Sequence, residues 1–305
     1  MSQIVTNNPT SDPSKHWHLL SFDVEEYFQV EAASAAGVTR DQWDSWPGRL
    51  SASVDKLLEL LDSRSTFATF FVLGWVAQKQ PEVVKRIAAA GHEIASHGMT
   101  HQMLTRMDPS AFRDELITSR KLLEDIASKP VIGYRAPTFS VMKSTAWAFD
   151  VLIEAGYLYD SSVFPVRHDR YGVPDAPRHT HWAVAPGGER ILEIPPATLR
   201  AFGLNMPVGG GGYMRLLPTW VPARGLRSFQ NSGHHAMIYL HPWELDPDQP
   251  PLPLSRLGRW RHTVNLHKTH AKLSRLMRMF RFRAVADVFE EMKISAEGEF
   301  QYAEA

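Results

Sequence analysis

The sequence predicts an α/β protein, a parallel sheet covered by helices and either open or closed into a barrel. Two observations carry that expectation: short apolar runs rich in β-branched and aromatic residues alternate with amphipathic helical segments, and proline and glycine punctuate the helices. A third is positional. The polar residues best suited to chemistry, Asp23, His97, Arg135, Asp160 and His241, fall at or just after the ends of the strand runs, where parallel α/β folds build their sites.

The elements follow in order. H-W-H-L-L-S-F-D-V reads as a buried strand ending at Asp23, and S-A-S-V-D-K-L-L-E-L-L as a helix with Ser51 as its capping candidate. T-F-A-T-F-F-V-L-G is a second strand closed by Gly74. P-E-V-V-K-R-I-A-A-A-G is a helix with proline at its start and glycine at its end. H-E-I-A-S-H, V-I-G-Y-R-A-P and Y-L-Y-D-S-S are further strands, separated by the helices P-S-A-F-R-D-E-L-I-T-S-R-K-L-L-E-D-I and S-T-A-W-A-F-D-V-L-I-E-A-G. Between about Val163 and Gly212 the rhythm lapses, with one strand candidate at R-I-L-E-I-P-P; H-A-M-I-Y-L-H-P restores a strand, and from Asn265 the tail reads helix, short strand, helix.

Composition narrows the function classes. Lys plus Arg balance Asp plus Glu, 33 against 33, so no global field favours nucleic acid, a membrane surface or a polyanion. The absence of cysteine removes thiolate nucleophiles, disulfides and cysteine zinc sites, leaving histidine and carboxylate to hold any metal. No run is long enough for an integral membrane segment, and residues 1–15 form a polar leader without a signal-peptide pattern, so the expected address is the cytoplasm. The basic amphipathic segment H-K-T-H-A-K-L-S-R-L-M-R-M-F leaves peripheral membrane association open; covering the sheet is its expected role. The G-G-G-G run lacks the lysine of a phosphate loop.

Each residue has a structural alternative: the His97–His101 pair could be solvated, Asp23 a helix cap, Arg135 the partner of a buried carboxylate, His241 a core histidine. In combination they carry a family resemblance. S-F-D-V-E-E, S-H-G-M-T-H, R-A-P-T-F, Y-D-S-S and Y-L-H-P resemble the five ordered motifs of the polysaccharide deacetylases, carbohydrate esterase family 4 with the NodB homology domain. G-G-G-G-Y-M-R and the basic tail resemble its exopolysaccharide-cluster subgroup. The resemblance implies a distorted (β/α) barrel, usually of seven strands, and a single deacetylase domain over 16–305, with motifs in 16–245 and a helical extension in 246–305.

It also implies roles. His97 and His101 would be metal ligands, Asp23 the general base paired with Arg135, and His241 the general acid. The Thr138 amide would help stabilise the oxyanion, and Phe139, Asp160 and Trp243 would line the substrate groove. Two departures qualify the transfer. Val24 stands where most members carry the third, carboxylate ligand; Glu25, at D-x-E spacing on the same face of an extended strand, is the expected replacement, ahead of Glu26 or Asp23 itself. Y-D-S-S-V-F lacks the later aspartate that pairs with the acid histidine, so Asp160 or Glu193 is the candidate to orient His241.

The implied cofactor is a divalent metal, zinc foremost, with cobalt, nickel or manganese as alternatives. The implied substrate is an N-acetylated amino-sugar polymer or a lipid-linked oligosaccharide, with no nucleic-acid partner and the oligomeric state open. Two other readings stand beside it: an allantoinase-like hydrolase of a small amide or cyclic ureide, and a non-catalytic saccharide-binding relative.

Overall fold

The computed structural model describes residues 16–302; the expected leader, 1–15, lies outside the described residues. Its strands are β1 (His18–Val24), β2 (Thr69–Val72), β3 (Glu93–Ser96), β4 (Gly133–Tyr134), β5 (Tyr159–Asp160), β6 (His181–Val184), β7 (Arg190–Glu193), β8 (Thr198–Ala201), β9 (Leu204–Pro207), β10 (Met237–Leu240), β11 (Phe282–Arg283) and β12 (Glu299–Gln301). The large sheet runs β10-β1-β2-β3-β4-β5-β7-β6-β12, with β11 joined to β1. From β10 to β7 every pairing is parallel. The ladder does not close by strand pairing. An isolated bridge joins Pro196, just past β7, to Met237 of β10, and Ala197 N–H donates to the Met237 carbonyl at 2.8 Å. Seven parallel strands thus form a distorted barrel, as expected.

Alternation along the strands sorts their side chains. Leu20, Phe22 and Val24 of β1, Phe70 and Val72 of β2, Ile94 of β3 and Ile238 and Leu240 of β10 belong to the core shared with the surrounding helices. Leu19, Phe71, Ala95, Tyr159, Leu192 and Met237 face the barrel interior and meet Val285, Val288 and Met292 of the helix Val285–Ser295. That helix is the barrel floor. Its N-cap residue, Ala284, has no side-chain donor or acceptor, so interior groups cap it instead: Val285 N–H donates to Thr69 Oγ1 and Ala286 N–H to Glu93 Oε2, each at 2.9 Å. Glu93 also accepts from Thr69 Oγ1 at 2.6 Å and Tyr159 OH at 2.9 Å.

Two local expectations are corrected. The helix Leu50–Asp62 begins before Ser51 and is capped from a distance, since Glu26 accepts from the Arg49 and Leu50 amides at 3.0 and 3.2 Å; Ser51 is exposed and bonds Arg86 instead. The stretch expected to be irregular holds β6 and a β8–β9 hairpin as well as the anticipated strand. The hairpin's two-residue turn is Phe202-Gly203, both left-handed at φ 50° and 76°. Such turns normally announce themselves as Asn-Gly or Asp-Gly; a phenylalanine gives no such signal.

Burial holds His18 down at about 3 and His181 at about 4, the latter also receiving the Tyr302 hydroxyl at 2.7 Å. Folded pKa values below the unfolded 6.5 mean that the unfolded chain takes up protons first. Their stabilisation is complete above about pH 6.5 and drains as pH falls toward 4, at up to about 1.4 kcal/mol per pH unit for each group. Melting temperature measured across that window should fall, and His181→Gln should fall less steeply than wild type; parallel declines would refute the assignment.

Candidate active site

The end of β1 delivers two carboxylates to one cleft. Asp23 and Glu25 share a face, whereas Glu26 turns back to the helix it caps. β3 ends beside them, and the turn that follows carries His97 and His101. Glu115, on the helix Pro109–Ala127, holds that turn: its carboxylate accepts from Met99 N–H at 3.1 Å and from the Thr100 hydroxyl. Gly74 N–H donates to the Gly98 carbonyl at 2.8 Å, and a Cβ on Gly74 would lie 2.1 Å from Met99 Sδ and 3.1 Å from Met99 Cα, so a side chain there would push the Met99 side chain aside and crowd the turn's backbone. His101 is left-handed, φ 54°, a conformation that costs roughly 1 kcal/mol or more. His92, four residues before β3 ends, receives the Ala68 amide and takes no part in the cleft.

Glu25, His97 and His101 offer ligand atoms that lie within 4.8 Å of one another. His97 Nδ1–H donates to the Arg135 carbonyl at 2.8 Å, which leaves Nε2 for the cluster. Burial keeps His97 at about 4, hence neutral and able to ligate. Burial would raise Glu25, but His101, His241 and His97 outweigh it and hold the carboxyl at about 2. Glu25 Oε2 is buried 2.5 Å from His101 Nε2, yet among the described residues no hydrogen-bond donor is aligned on it. Two imidazoles and an under-satisfied carboxylate fit a divalent cation with open coordination positions.

Asp23 is fixed by Arg135. Arg135 is wholly buried, donates from Nη1 to Asp23 Oδ1 at 2.6 Å and to Ser21 Oγ at 3.0 Å, reaches Ser161 Oγ at 2.9 Å, and lies over the Phe71 ring at 4.0 Å. The other carboxylate oxygen, Asp23 Oδ2, stands 3.9 Å from His241 Nε2.

His241 closes the cleft from the end of β10. Its Nδ1 lies 2.8 Å from Glu244 Oε1, and Glu244 Oε2 accepts from Arg215 Nε at 2.7 Å. Burial opposes the imidazolium, but the bond to Glu244 and the charges of Glu25, Glu244 and Asp23 lift His241 to about 9. Trp243 stacks between His241 and His262, at centroid distances of 5.1 and 4.7 Å, and donates to Glu25 Oε1 at 3.3 Å. The cleft holds about 340 Å³. Thr138 and Phe139 wall it with two consecutive left-handed residues, φ 58° and 51°; a β-branched residue is rarely found there.

Two acids lie elsewhere than expected. Asp160 is fully buried and neither lines the groove nor meets His241; it bonds Ser162 Oγ at 2.5 Å, and that hydroxyl oxygen accepts the Ala136 amide at 2.7 Å. It therefore braces the R-A-P-T turn from behind. Burial raises its pKa to about 6 beside Glu193, which burial and Asp160 raise further. Glu193 accepts from Val163 N–H at 3.1 Å and is likewise not the partner of His241. Glu244 takes that place, three residues along H-P-W-E, a spacing the sequence displays. Glu115 and Arg215 carried no comparable signal.

A carboxylate and two histidines able to hold a cation, with a fixed aspartate and a histidine beside them, are the makings of a metallohydrolase site on a parallel α/β barrel. Residues 37–158 match the polysaccharide deacetylase family, and residues 161–290 match a domain of unknown function, DUF3473. Over 191 residues the chain is 32% identical to a chitooligosaccharide deacetylase of Bradyrhizobium sp. (strain ANU 289), 61% of this chain and 83% of that protein. It is 33% identical over 94 residues to a peptidoglycan-N-acetylglucosamine deacetylase of Bacillus cereus, covering 30% of this chain and 34%, about a third, of that relative. A crystal structure assigned to the polysaccharide deacetylases, from Mycobacterium smegmatis, shares the fold at TM-score 0.59 and 19% identity, with 95% of this chain and 94% of that one covered. The chain belongs to the polysaccharide deacetylase family and is a hydrolase of the NodB type. His97, His101 and Arg135 lie in the first matched segment, and Arg215, His241, Trp243 and Glu244 in the second.

Glu115→Ala should weaken divalent-metal binding by about tenfold, measured by titration calorimetry, while the circular dichroism spectrum is kept; unchanged affinity would show that the turn holds itself. Arg135→Met should cost about 3–5 kcal/mol in urea unfolding, because Asp23 is left buried and unpaired. A loss under 1 kcal/mol would contradict that account.

Proposed function

We propose that the chain removes N-acetyl groups from N-acetylhexosamine units of a polysaccharide or its lipid-linked precursor, using a divalent metal, zinc foremost, held by Glu25, His97 and His101. The supporting observation is that Asp23 and His241 converge beside the Glu25–His97–His101 cluster, with each group fixed by its own buried arginine, directly or through Glu244. When bound, the cation supplies a Lewis acid that polarises the acetyl carbonyl and eases ionisation of water.

The chain's residues do the rest. Arg135 occupies one oxygen of Asp23 and leaves Oδ2 to take the proton of the attacking water. His241, protonated at Nε2 and anchored through Nδ1 to Glu244, donates a proton to the departing amine nitrogen. The strained turn at Thr138 offers a backbone amide to the developing oxyanion. Trp243 and Phe139 give the cleft apolar walls suited to the acetyl methyl group and a sugar face.

Metal analysis of purified protein with acetate release from N-acetylglucosamine oligomers tests the reading. Wild type should carry close to one metal per chain, and Glu25→Ala and His97→Ala should lose both metal and activity. Asp23→Asn and His241→Ala should keep the metal while turnover drops roughly 10²–10⁴-fold. Full occupancy in Glu25→Ala, or metal loss in Asp23→Asn, would overturn the ligand set; release of acetate from small amides but never from sugars would overturn the substrate class. Glu244→Gln should lower kcat by about tenfold or more with metal content unchanged, the signature of a positioning partner for His241.

A further inference from the structure

From Ile194 to Trp243 the chain carries no aspartate or glutamate, while Arg200, Arg215, Arg224 and Arg227 all fall within that stretch. Arg215 is buried on Glu244; the other three are exposed. They surround an apolar protrusion. Phe202, at the hairpin turn, is 101% exposed, Leu204 beside it 66%, and Trp220, at the start of the helix Trp220–Asn231, 66%.

These groups form one surface. The helix lies close against the hairpin, since a Cβ on Gly225 would meet Leu199 Cβ of β8 at 4.0 Å and Val208 Cγ2, just past β9, at 2.7 Å. Val221, Leu226 and Phe229 are buried, so Trp220, Arg224 and Arg227, at i, i+4 and i+7, share the outward face. Together with Arg200 and Phe202 they line an open groove of about 800 Å³.

We propose that this face docks on a membrane surface rich in anionic phospholipid, with Phe202, Leu204 and Trp220 entering the headgroup–acyl boundary and Arg200, Arg224 and Arg227 pairing with lipid phosphates. Charge complementarity identifies the occupant. An acid-free rim of arginines is attracted to a negative bilayer surface, arginine binds phosphate through paired N–H donors, and its aliphatic stem tolerates the interface. Tryptophan and phenylalanine are at home at that depth. A saccharide would use the aromatic rings but would gain no hydrogen bond from Leu204 and find no carboxylate in the groove. The docked face adjoins the catalytic cleft along the chain: β9 ends at Pro207, Gly210 bridges Tyr239, and Gly211 lines the cleft.

Cosedimentation of the full chain with vesicles of phosphatidylcholine, alone or mixed with phosphatidylglycerol, tests this inference. Binding to the mixed vesicles should be about tenfold tighter or more and should weaken as salt is raised. Phe202→Ser combined with Trp220→Ser should abolish it, and Arg224→Gln combined with Arg227→Gln should reduce it to the neutral-vesicle level. Both variants should keep wild-type acetate release from soluble oligomers, which separates loss of docking from loss of fold or of the deacetylase reading. Equal binding to both vesicles, or a Phe202→Ser, Trp220→Ser protein that binds like wild type, would overturn the proposal. So would vesicle-free self-association that this variant abolishes, since it would assign the face to a second copy.

Discussion

Everything at the catalytic end of the barrel is arranged around the buried pair of Asp23 and Arg135. A guanidinium removed from water needs a full set of acceptors and an anion, because desolvating it alone costs several kcal/mol. Here the barrel supplies them: β1 gives Ser21 and Asp23, the segment after β5 gives Ser161, and Phe71 gives its ring face. Arg135 therefore ties together strand ends from opposite sides of the ring. It also passes structure onward, since its carbonyl receives His97 Nδ1–H and so selects the nitrogen left for ligation. One residue thus aims both the proposed base and one of the proposed metal ligands.

A second arginine repeats the device across the cleft. Arg215 neutralises Glu244, Glu244 holds His241, and Trp243 fills the space between that relay and Glu25. Three carboxylates in and just behind one small cleft would repel each other if their surroundings were alike. They are kept distinct by partner: Asp23 by Arg135, Glu244 by Arg215 and His241, Glu25 by imidazoles and the Trp243 indole. The carboxylate without an arginine is the one proposed to hold a metal.

How far the sequence could be read depended on whether a residue's environment was local. Strand ends were enough to bring Asp23, His97, Arg135 and His241 to one end of the barrel, while Glu25 and His101 joined them through the family resemblance, helped for Glu25 by the period-two geometry of the strand. Glu26 was separable from Glu25 by the same parity. Asp160 was misplaced because Glu193 and the Ala136 amide held by Ser162 reach it through folding rather than by spacing. Glu115 looks like any acid on an amphipathic helix until the S-H-G-M-T-H turn is laid across it. The hairpin escaped notice because its turn uses Phe202, whose left-handed backbone goes against its own preference.

The helix Val285–Ser295 has a consequence for the time course of folding. Its first amides are satisfied by Thr69 and Glu93, and β1 finds its neighbours β10 and β11 more than two hundred positions along the chain. Pairings of such long sequence separation form slowly, since loop-closure entropy must be met before they give anything back. During synthesis β1 can pair with β2 early, but its other edge waits for β10 and the barrel interior for the helix Val285–Ser295. The buried carboxyl of Glu93 stays wet until that helix arrives, and the cleft at the other end is built on a ring that late segments complete.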